Sequence, residues 1–401
     1  MKKRGQGPNP LAPPRSRGVP CGQHRRVDMD IEQGSVWIPF PTMERFMRDV
    51  FTGLGVPRAD AAICAKVLIK ADQLGFDSHG ISRLKPIYYD RIRQGIQRAQ
   101  TRIGRVKNTP TTAVLDGGNG MGHVVAHHAM TLAIRKARRY GLGMVAVRNS
   151  THYGIAGYYA LMAAQAGMIG ISGTNARPSI APTFGVENML GTNPLTFALP
   201  TDEKFPFLLD CATSIVQRGK VEIYAKLDKP MPAGWVIAPD GSSKTDPHQV
   251  LTDLVAGTAA LLPLGGAGED LAGYKGYGYA TVVEILSAAL QQGAYLKMLS
   301  GVDRKGRKIP YPLGHFFLAI DIAHFAPLAS FKQIAGRILR QLRASQKAPG
   351  QNRIYTAGEK EYLTWRERRG KGVPVNRETQ KEILAMREEL GLKKYRFPFD
   401  P

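Results

Sequence analysis

The feature that most constrains this chain is a change in the period of its apolar residues. From Thr42 to Asp72, Met43, Phe46, Met47, Val50 and Phe51, then Ala61, Ala62, Ala65, Val67 and Leu68, recur at three- and four-residue spacing. That is the pattern of amphipathic helices burying one stripe, and it predicts two of them, parted by a turn over residues 53–58. Between Gly143 and Asp210 the texture shortens to β-rich runs at 144–147, 168–172, 196–198 and 207–209, broken by Gly, Pro and Asn. Residues 154–166 place Ile155, Tyr158, Leu161, Met162 and Ala164 at helical spacing between two of these runs. Helices feeding a strand-helix-strand unit predict an α/β fold around a mixed sheet.

The remaining elements follow from the same signals. A polar break at Asp77-Ser78-His79-Gly80 precedes a helix holding Leu84, Ile87, Tyr88, Ile92 and Ile96. A strand over 113–116 ends in the turn Gly117-Gly118-Asn119-Gly120, and a helix follows over 123–140. Residues 223–262 are polar and turn-rich, and are expected to wrap the surface. Helices are expected over 279–292, 328–345 and 378–390, with a strand over 316–322 flanked by His315 and His324, which read as structural. The chain divides into a basic extension (1–35), a helical N-terminal part (36–110), a β-rich region (111–325) and a helical C-terminal part (326–401).

With 401 residues, 43% of them hydrophobic, the chain can bury a sizeable core. The formal charge of +23 would suit nucleic acid, acidic lipid or small anions, and charge alone does not choose among them. Residues 1–27 carry Lys2, Lys3, Arg4, Arg15, Arg17, Arg25 and Arg26 with no acid. That segment, rich in Gly and Pro, cannot offset its own ordering entropy and is expected to be disordered. Cys21, Cys64 and Cys211 lie far apart without a CxxC pair, against a disulfide framework and for a reducing, cytoplasmic setting. No apolar run approaches the ~20 residues of a membrane helix.

Neither G-x-G-x-x-G after a strand nor G-x-x-x-x-G-K-[ST] occurs, so a Rossmann or P-loop phosphate site is not indicated. His152, in Asn149-Ser150-Thr151-His152-Tyr153-Gly154, follows a strand and precedes a helix, where strand ends present side chains to ligands. Its ordinary pKa of ~6.5 suits proton exchange near neutrality; a structural loop histidine would look the same. Arg83 could clamp a carboxylate, or simply sit exposed after a capped helix start. The turn Gly191-Thr192-Asn193-Pro194 could grip a polar ligand, or be a turn and no more. Lys275, ahead of the helix expected from Tyr279, could serve a pyrophosphate or carboxylate. His123 and His127 have the i,i+4 spacing of metal ligands but no third ligand nearby, so no metal site is expected.

These segments together resemble the malate/L-lactate dehydrogenase family, whose relatives include sulfolactate, ureidoglycolate and diketogulonate oxidoreductases and a cyclic-imine reductase. The resemblance runs from about Ile38 to Leu392. It rests on Ala71-Asp72, Asp77-Ser78-His79-Gly80 with Arg83-Leu84, Thr151-His152-Tyr153-Gly154-Ile155-Ala156-Gly157-Tyr158, Thr174-Asn175, Leu190-Gly191-Thr192-Asn193-Pro194, Asp210 with Ala212-Thr213-Ser214, Gly219-Lys220 and Lys275-Gly276-Tyr277-Gly278.

The resemblance implies a non-Rossmann dinucleotide-binding domain with a mixed β-sheet, beside a helical domain built from N- and C-terminal segments, in a homodimer. It implies hydride transfer between NAD or NADP and a small 2-oxo/2-hydroxy acid: malate first, then L-lactate or sulfolactate. His152 would be the general acid/base, and His79, Arg83, Thr192 and Asn193 would hold substrate. Asn175, Ala176, Asp210, Cys211, Ala212, Lys275, Gly276, Gly358, Glu359 and Lys360 would hold the cofactor. No nucleic-acid or membrane partner is expected. Ala176 stands where relatives often carry Ser and Cys211 where Met is usual, so cofactor contacts through side chains are expected to differ; Leu74 replaces an Arg frequent before Gly75, and none of the three touches the expected chemistry. The alternatives are a reductase of cyclic imino acids and, from another class, a basic nucleic-acid-binding protein without catalysis.

Overall fold

The computed structural model describes residues 34–400. The basic extension expected over 1–35 lies, but for its last two residues, outside them. Strand β1 (Val36–Ile38) pairs with β11 (Val373–Val375), and β8 (Val236–Ile237) with β9 (Ala260–Leu261). The central sheet holds β2 (Gly104–Asn108), β3 (Thr112–Asp116), β4 (Leu142–Ser150), β5 (Met168–Thr174), β6 (Leu195–Leu199), β7 (Phe207–Cys211) and β10 (Leu313–Asp321) in the order β2-β3-β4-β10-β5-β6-β7. Only β3 and β4 are parallel neighbours; β10 lies antiparallel between β4 and β5. The sheet is therefore mixed, as the short β-rich runs predict.

The helices are α1 (Phe40–Gly53), α2 (Arg58–Leu74), α3 (Asp90–Arg93), α4 (Gly122–Tyr140), α5 (Ala156–Gln165), α6 (Arg218–Lys226), α7 (Pro247–Ala256), α8 (Gly273–Ala288), α9 (Leu328–Ala344), α10 (Glu359–Arg368) and α11 (Arg377–Glu389). Strand alternation sends Phe317 and Ala319 into a core with Val125, Ala129, Ala133 and Tyr159 of α4 and α5. Gly314 faces the other way, onto α8, where a Cβ would come within 1.6 Å of the Ser287 carbonyl. Met43, Phe46, Met47 and Val50 of α1 share a second core with Cys64 and Leu68 of α2 and Ile383 and Met386 of α11. Segments more than 300 residues apart in sequence thus close one helical unit.

Several elements depart from expectation, each because its sequence carries little periodic signal. Residues 223–262 do not merely wrap the surface: they supply α7, β8 and β9, with Val236, Val250 and Leu261 closing a small core on Ile180 and Leu190. Each strand there is two residues long and α7 adds only Val250, Leu251 and Leu254. Residues 104–108, within the part expected to be helical, form the fully exposed edge strand β2. Helix α10 is polar on most sides and left no apolar stripe. Helix α9 stays with the sheet, its Arg340 pairing with Asp202 and Glu203, so only α10 and α11 join the N-terminal helices. His315 does not flank its strand but lies inside β10, fully buried, its ring stacked 4.5 Å from Tyr153.

Candidate active site

Strand pairing brings the candidate segments to one end of the sheet. Ser150 at the end of β4 pairs with Leu313, Thr174 at the end of β5 with His315, Gly173 with Leu195 at the start of β6, and Leu195 with Cys211 at the end of β7. His152, Asn175, Thr192, Asn193, Cys211 and Ala212 therefore leave the sheet on the same side.

The loop carrying His79 and Arg83 is held from below by Asp72, one of the least exposed carboxyls. Its Oδ2 accepts from the Ile81 N–H at 3.0 Å, and Gly80 packs so closely that a Cβ would come within 1.7 Å of Oδ1. Arg368 of α10 donates to both oxygens of Asp77 and to the Asp72 carbonyl. Two short 3-10 turns, Asp77–His79 and Ile81–Arg83, then enter an i→i+5 turn over Leu84–Tyr89 that runs straight into α3, so the helix expected here begins wide and ends at Arg93, short of Ile96. Such a turn brings residues five apart to one face and recurs at functional sites.

The His152 loop is pinned separately. Thr151 Oγ1 accepts from the Gly122 N–H at 2.9 Å and donates to the Gly120 carbonyl at 2.8 Å. Gly122 has no room for a side chain, since a Cβ would lie 2.2 Å from the Thr151 carbonyl. The result is a stack: the His79 and His152 rings lie 5.9 Å apart at 21°. Tyr88 Oη sits 2.6 Å from His152 Nδ1, and the Tyr88 and His123 rings are 4.5 Å apart. Arg83 Nε donates to the Ser78 carbonyl at 2.5 Å, keeping its guanidinium beside the two histidines.

Burial, then the Arg83 charge, pushes the His79 pKa down to about 4. Burial also pushes His152 well below its usual range, helped by His79, Arg91, His123 and Arg83. Both rings are neutral at pH 7, and the local field is positive. A site of this kind accepts an anion readily and gains proton affinity when one arrives.

The other predicted residues divide by exposure. Asn175 is buried and fully engaged, its Oδ1 accepting from Gly314 N–H and its Nδ2 donating to the Ala294 carbonyl. Asn193 is buried too; its Nδ2 donates to Glu284 Oε2 at 2.8 Å and to the Ala280 carbonyl, while its Oδ1 has no partner. Asp210 accepts from Gly157 N–H and Thr196 Oγ1, tying α5 to the sheet. Cys211 and Lys275 are exposed, Thr192, Ala176 and Ala212 half-buried, and Lys275 and Gly276 fall in the first turn of α8. Gly358 lies at the opposite end of β7, against Pro206 and Leu208. The Glu359 carboxylate is held by Arg353 and by the Thr356 N–H, and Lys360 Nζ lies over the Tyr355 ring. The structure thus groups the histidines, Arg83, Asn175, Thr192, Asn193, Cys211 and Ala212, and leaves the 358–360 set apart from them.

Sequence inspection missed Tyr88, Arg91, Asp72 and Arg368 as members of the site. Tyr88 and Arg91 carry no signal beyond helical spacing. Asp72 and Arg368 are supports whose roles exist only across long sequence separations.

The family model described as malate/L-lactate dehydrogenase matches residues 38–384. A malate dehydrogenase of Pyrococcus horikoshii is 43% identical over 363 residues, covering 90% of this chain and 98% of the relative. An L-sulfolactate dehydrogenase of Methanocaldococcus jannaschii is 36% identical, covering 87% and 96%. The crystal structure of a malate dehydrogenase from Entamoeba histolytica superposes with a TM-score of 0.86 at 42% identity, covering 91% of this chain and all of that one. The fold and site define a 2-hydroxy-acid dehydrogenase, a class that works with a nicotinamide cofactor. The chain belongs to the malate/L-lactate dehydrogenase family.

Proposed function

We propose that this enzyme interconverts a small 2-oxo acid and its 2-hydroxy acid, malate before L-lactate or sulfolactate, with NAD or NADP, and that His152 is the proton carrier. The observation that carries this is the His79–His152 stack with Arg83 beside it at the sheet end. The malate dehydrogenase names of two relatives at 43% and 45% identity favour malate.

Residues that fit a dinucleotide lie at the same end. Lys275 in the first turn of the 16-residue helix α8 offers positive charge to a pyrophosphate beside the positive end of the helix dipole. Asn193 Oδ1 and Ser214 Oγ are buried without partners, a capacity that a ligand's amide and hydroxyl groups would use. The bound cofactor supplies or accepts the hydride. Arg83 and His79 hold the substrate carboxylate, and His152 gives a proton to the forming alkoxide or takes one from the hydroxyl.

The test is a spectrophotometric screen of oxaloacetate, pyruvate, sulfopyruvate and piperideine-2-carboxylate with NADH and NADPH. His152→Ala is expected to lower kcat by ~100-fold or more with little change in cofactor affinity. Near-normal turnover would remove His152 from the chemistry. Because the free site holds His152 neutral, kcat/KM for hydroxy-acid oxidation is expected to be level above pH 7 and to fall only in more acid solution. A titration of kcat/KM at or above pH 7 would contradict the depressed His152.

We read the functional form as a homodimer in a reducing, cytoplasmic setting. Support comes from Ile334, Ile338 and Leu342 of α9, each more than half exposed on one stripe, which a single chain leaves in water. Cys64 and Cys211 are free, and among the described residues no helix is long and apolar enough to cross a membrane. Light scattering that returns a mass near 43.9 kDa would refute the dimer.

A further inference from the structure

We propose that Tyr88 is a positioning residue that fixes the tautomer of His152, so that the resting site presents an Nε2–H donor to the substrate oxygen. This rests on His152 being the proton carrier, and its first test does not.

Two donors converge on His152 Nδ1. The Gly154 N–H lies 3.3 Å away, and an amide N–H has no lone pair to offer, so Nδ1 must be the acceptor. Tyr88 Oη lies 2.6 Å from the same nitrogen. Tyr88 is fully buried, and burial pushes its phenol well above its usual range, so it stays protonated. A neutral imidazole has one hydrogen, and with Nδ1 accepting it sits on Nε2. Among the described residues Nε2 has no hydrogen-bond partner, and the ring is half-buried.

The backbone explains how Tyr88 reaches this place. It lies five residues beyond Arg83, and the i→i+5 turn over Leu84–Tyr89 puts the two side chains toward the same histidine. An α-helical segment would turn them apart. The Tyr88 ring is clamped between Phe51 and His123, at 5.9 and 4.5 Å, which holds the hydroxyl oxygen in place while leaving its O–H free to turn.

The consequence for function is a bias in what the resting site recognises. A keto oxygen accepts from Nε2–H at once. A hydroxyl that must give up its proton meets a donor, so oxidation first requires the hydrogen to move to Nδ1 and the Tyr88 hydroxyl to turn from donor to acceptor. In reduction the ring first takes up one proton from solvent at Nδ1, the Tyr88 hydroxyl turning to accept it; the keto carbon then gains hydride and the alkoxide oxygen gains the Nε2 proton, which leaves a neutral ring with its hydrogen on Nδ1. The Nδ1–H that remains is then received by Tyr88 Oη. The phenol stays neutral throughout.

The experiment begins with the unaltered protein, labelled with 15N in histidine. Two-bond proton–nitrogen correlations, with His152 assigned by its loss in His152→Ala, are expected to show a protonated Nε2 and a bare Nδ1 at pH 7. An Nδ1–H pattern overturns the proposal, whatever the enzyme's activity. In Tyr88→Phe, loss of the donor to Nδ1 is expected to raise the His152 pKa, move the acid limb of the kcat/KM profile upward, and lower kcat/KM about tenfold. The cofactor KM should not change. A Tyr88→Phe enzyme with an unmoved pH profile and unmoved His152 nitrogen shifts also overturns it. If instead His152→Ala retains turnover while the Nε2–H pattern is present, the tautomer assignment holds and the catalytic role of His152 fails.

Discussion

Replacing Gly80 by alanine is the sharpest test of how the substrate loop is held. The new Cβ would lie 1.7 Å from Asp72 Oδ1 and 2.2 Å from its Cγ. Ordinary contact is roughly 3.5–4 Å, so about 2 Å of movement is required of one partner. Asp72 is almost fully buried and cannot swing into solvent. If it yields, the Ile81 N–H loses its 3.0 Å bond, a loss of roughly 1.5–3 kcal/mol for a bond to an ionised group and nearer 1 kcal/mol to a neutral one. If the loop yields, overpacking strain of about 1–3 kcal/mol remains, and His79 and Arg83 move with it. A displacement of ~1 Å at a positioning group can cost about 100-fold in rate. Gly80→Ala is therefore expected to lose about 2–5 kcal/mol in urea unfolding and ~100-fold in kcat/KM for the acid substrate. The cofactor KM should hold, because its candidate residues sit on other loops. Gly370→Ala, with open space around the new methyl, is the control and should lie within about 0.5 kcal/mol of the parent. Wild-type stability and kinetics in Gly80→Ala would refute the packing of Asp72 beneath this loop.

Further outcomes follow from the charges and the buried rings. Arg368→Ala should release Asp77 and the Asp72 carbonyl, cost about 1–3 kcal/mol, and raise the substrate KM more than the cofactor KM; equal effects on both would point to general unfolding. His123 is fully buried with both ring nitrogens unpartnered, and burial pushes its pKa from 6.5 down to about 3. Its folded pKa lies below the unfolded one, so the unfolded chain binds the proton first, and stability is full above pH 6.5 and lost as the pH falls toward 3. In His123→Leu the fall of stability with acid should be shallower by ~1.4 kcal/mol per pH unit between about 6 and 4, as read by urea midpoints; a parallel curve would show that His123 is not held neutral.

The long helices and the interior strands were legible because each repeats its apolar residues over several turns or alternates them over a pleat. α1, α2, α4, α9 and α11 are all visible in the spacing of Met43 to Leu68, of residues 123–140, and of the amphipathic stretches over 328–345 and 378–390. The edge strand β2, the pair β1–β11 and the polar helix α10 were not, because exposed or three-residue elements draw their order from partners rather than from their own pattern. Residues 223–262 illustrate the same limit: Val236, Val250 and Leu261 become a core only when Ile180 and Leu190 arrive from elsewhere.

The candidate site divides along the same line. Residue chemistry alone singled out His152, Arg83 and Lys275, since a loop histidine after a strand and a cation near a helix start are local facts. Resemblance added the partners in order along the chain. What surrounds His152 was decided by tertiary structure: the ring of His79 at 5.9 Å, the hydroxyl of Tyr88 at 2.6 Å, and burial that, with the positive groups nearby, keeps the imidazole neutral. Those groups lie 73 and 64 residues away in sequence, and a pKa or a tautomer is a property of everything packed around a ring. The amino-acid order by itself determined which side chains could carry protons and anions. Only the fold, by bringing Asp72, Gly80, Tyr88 and Gly154 into contact, determined the form in which they meet a substrate.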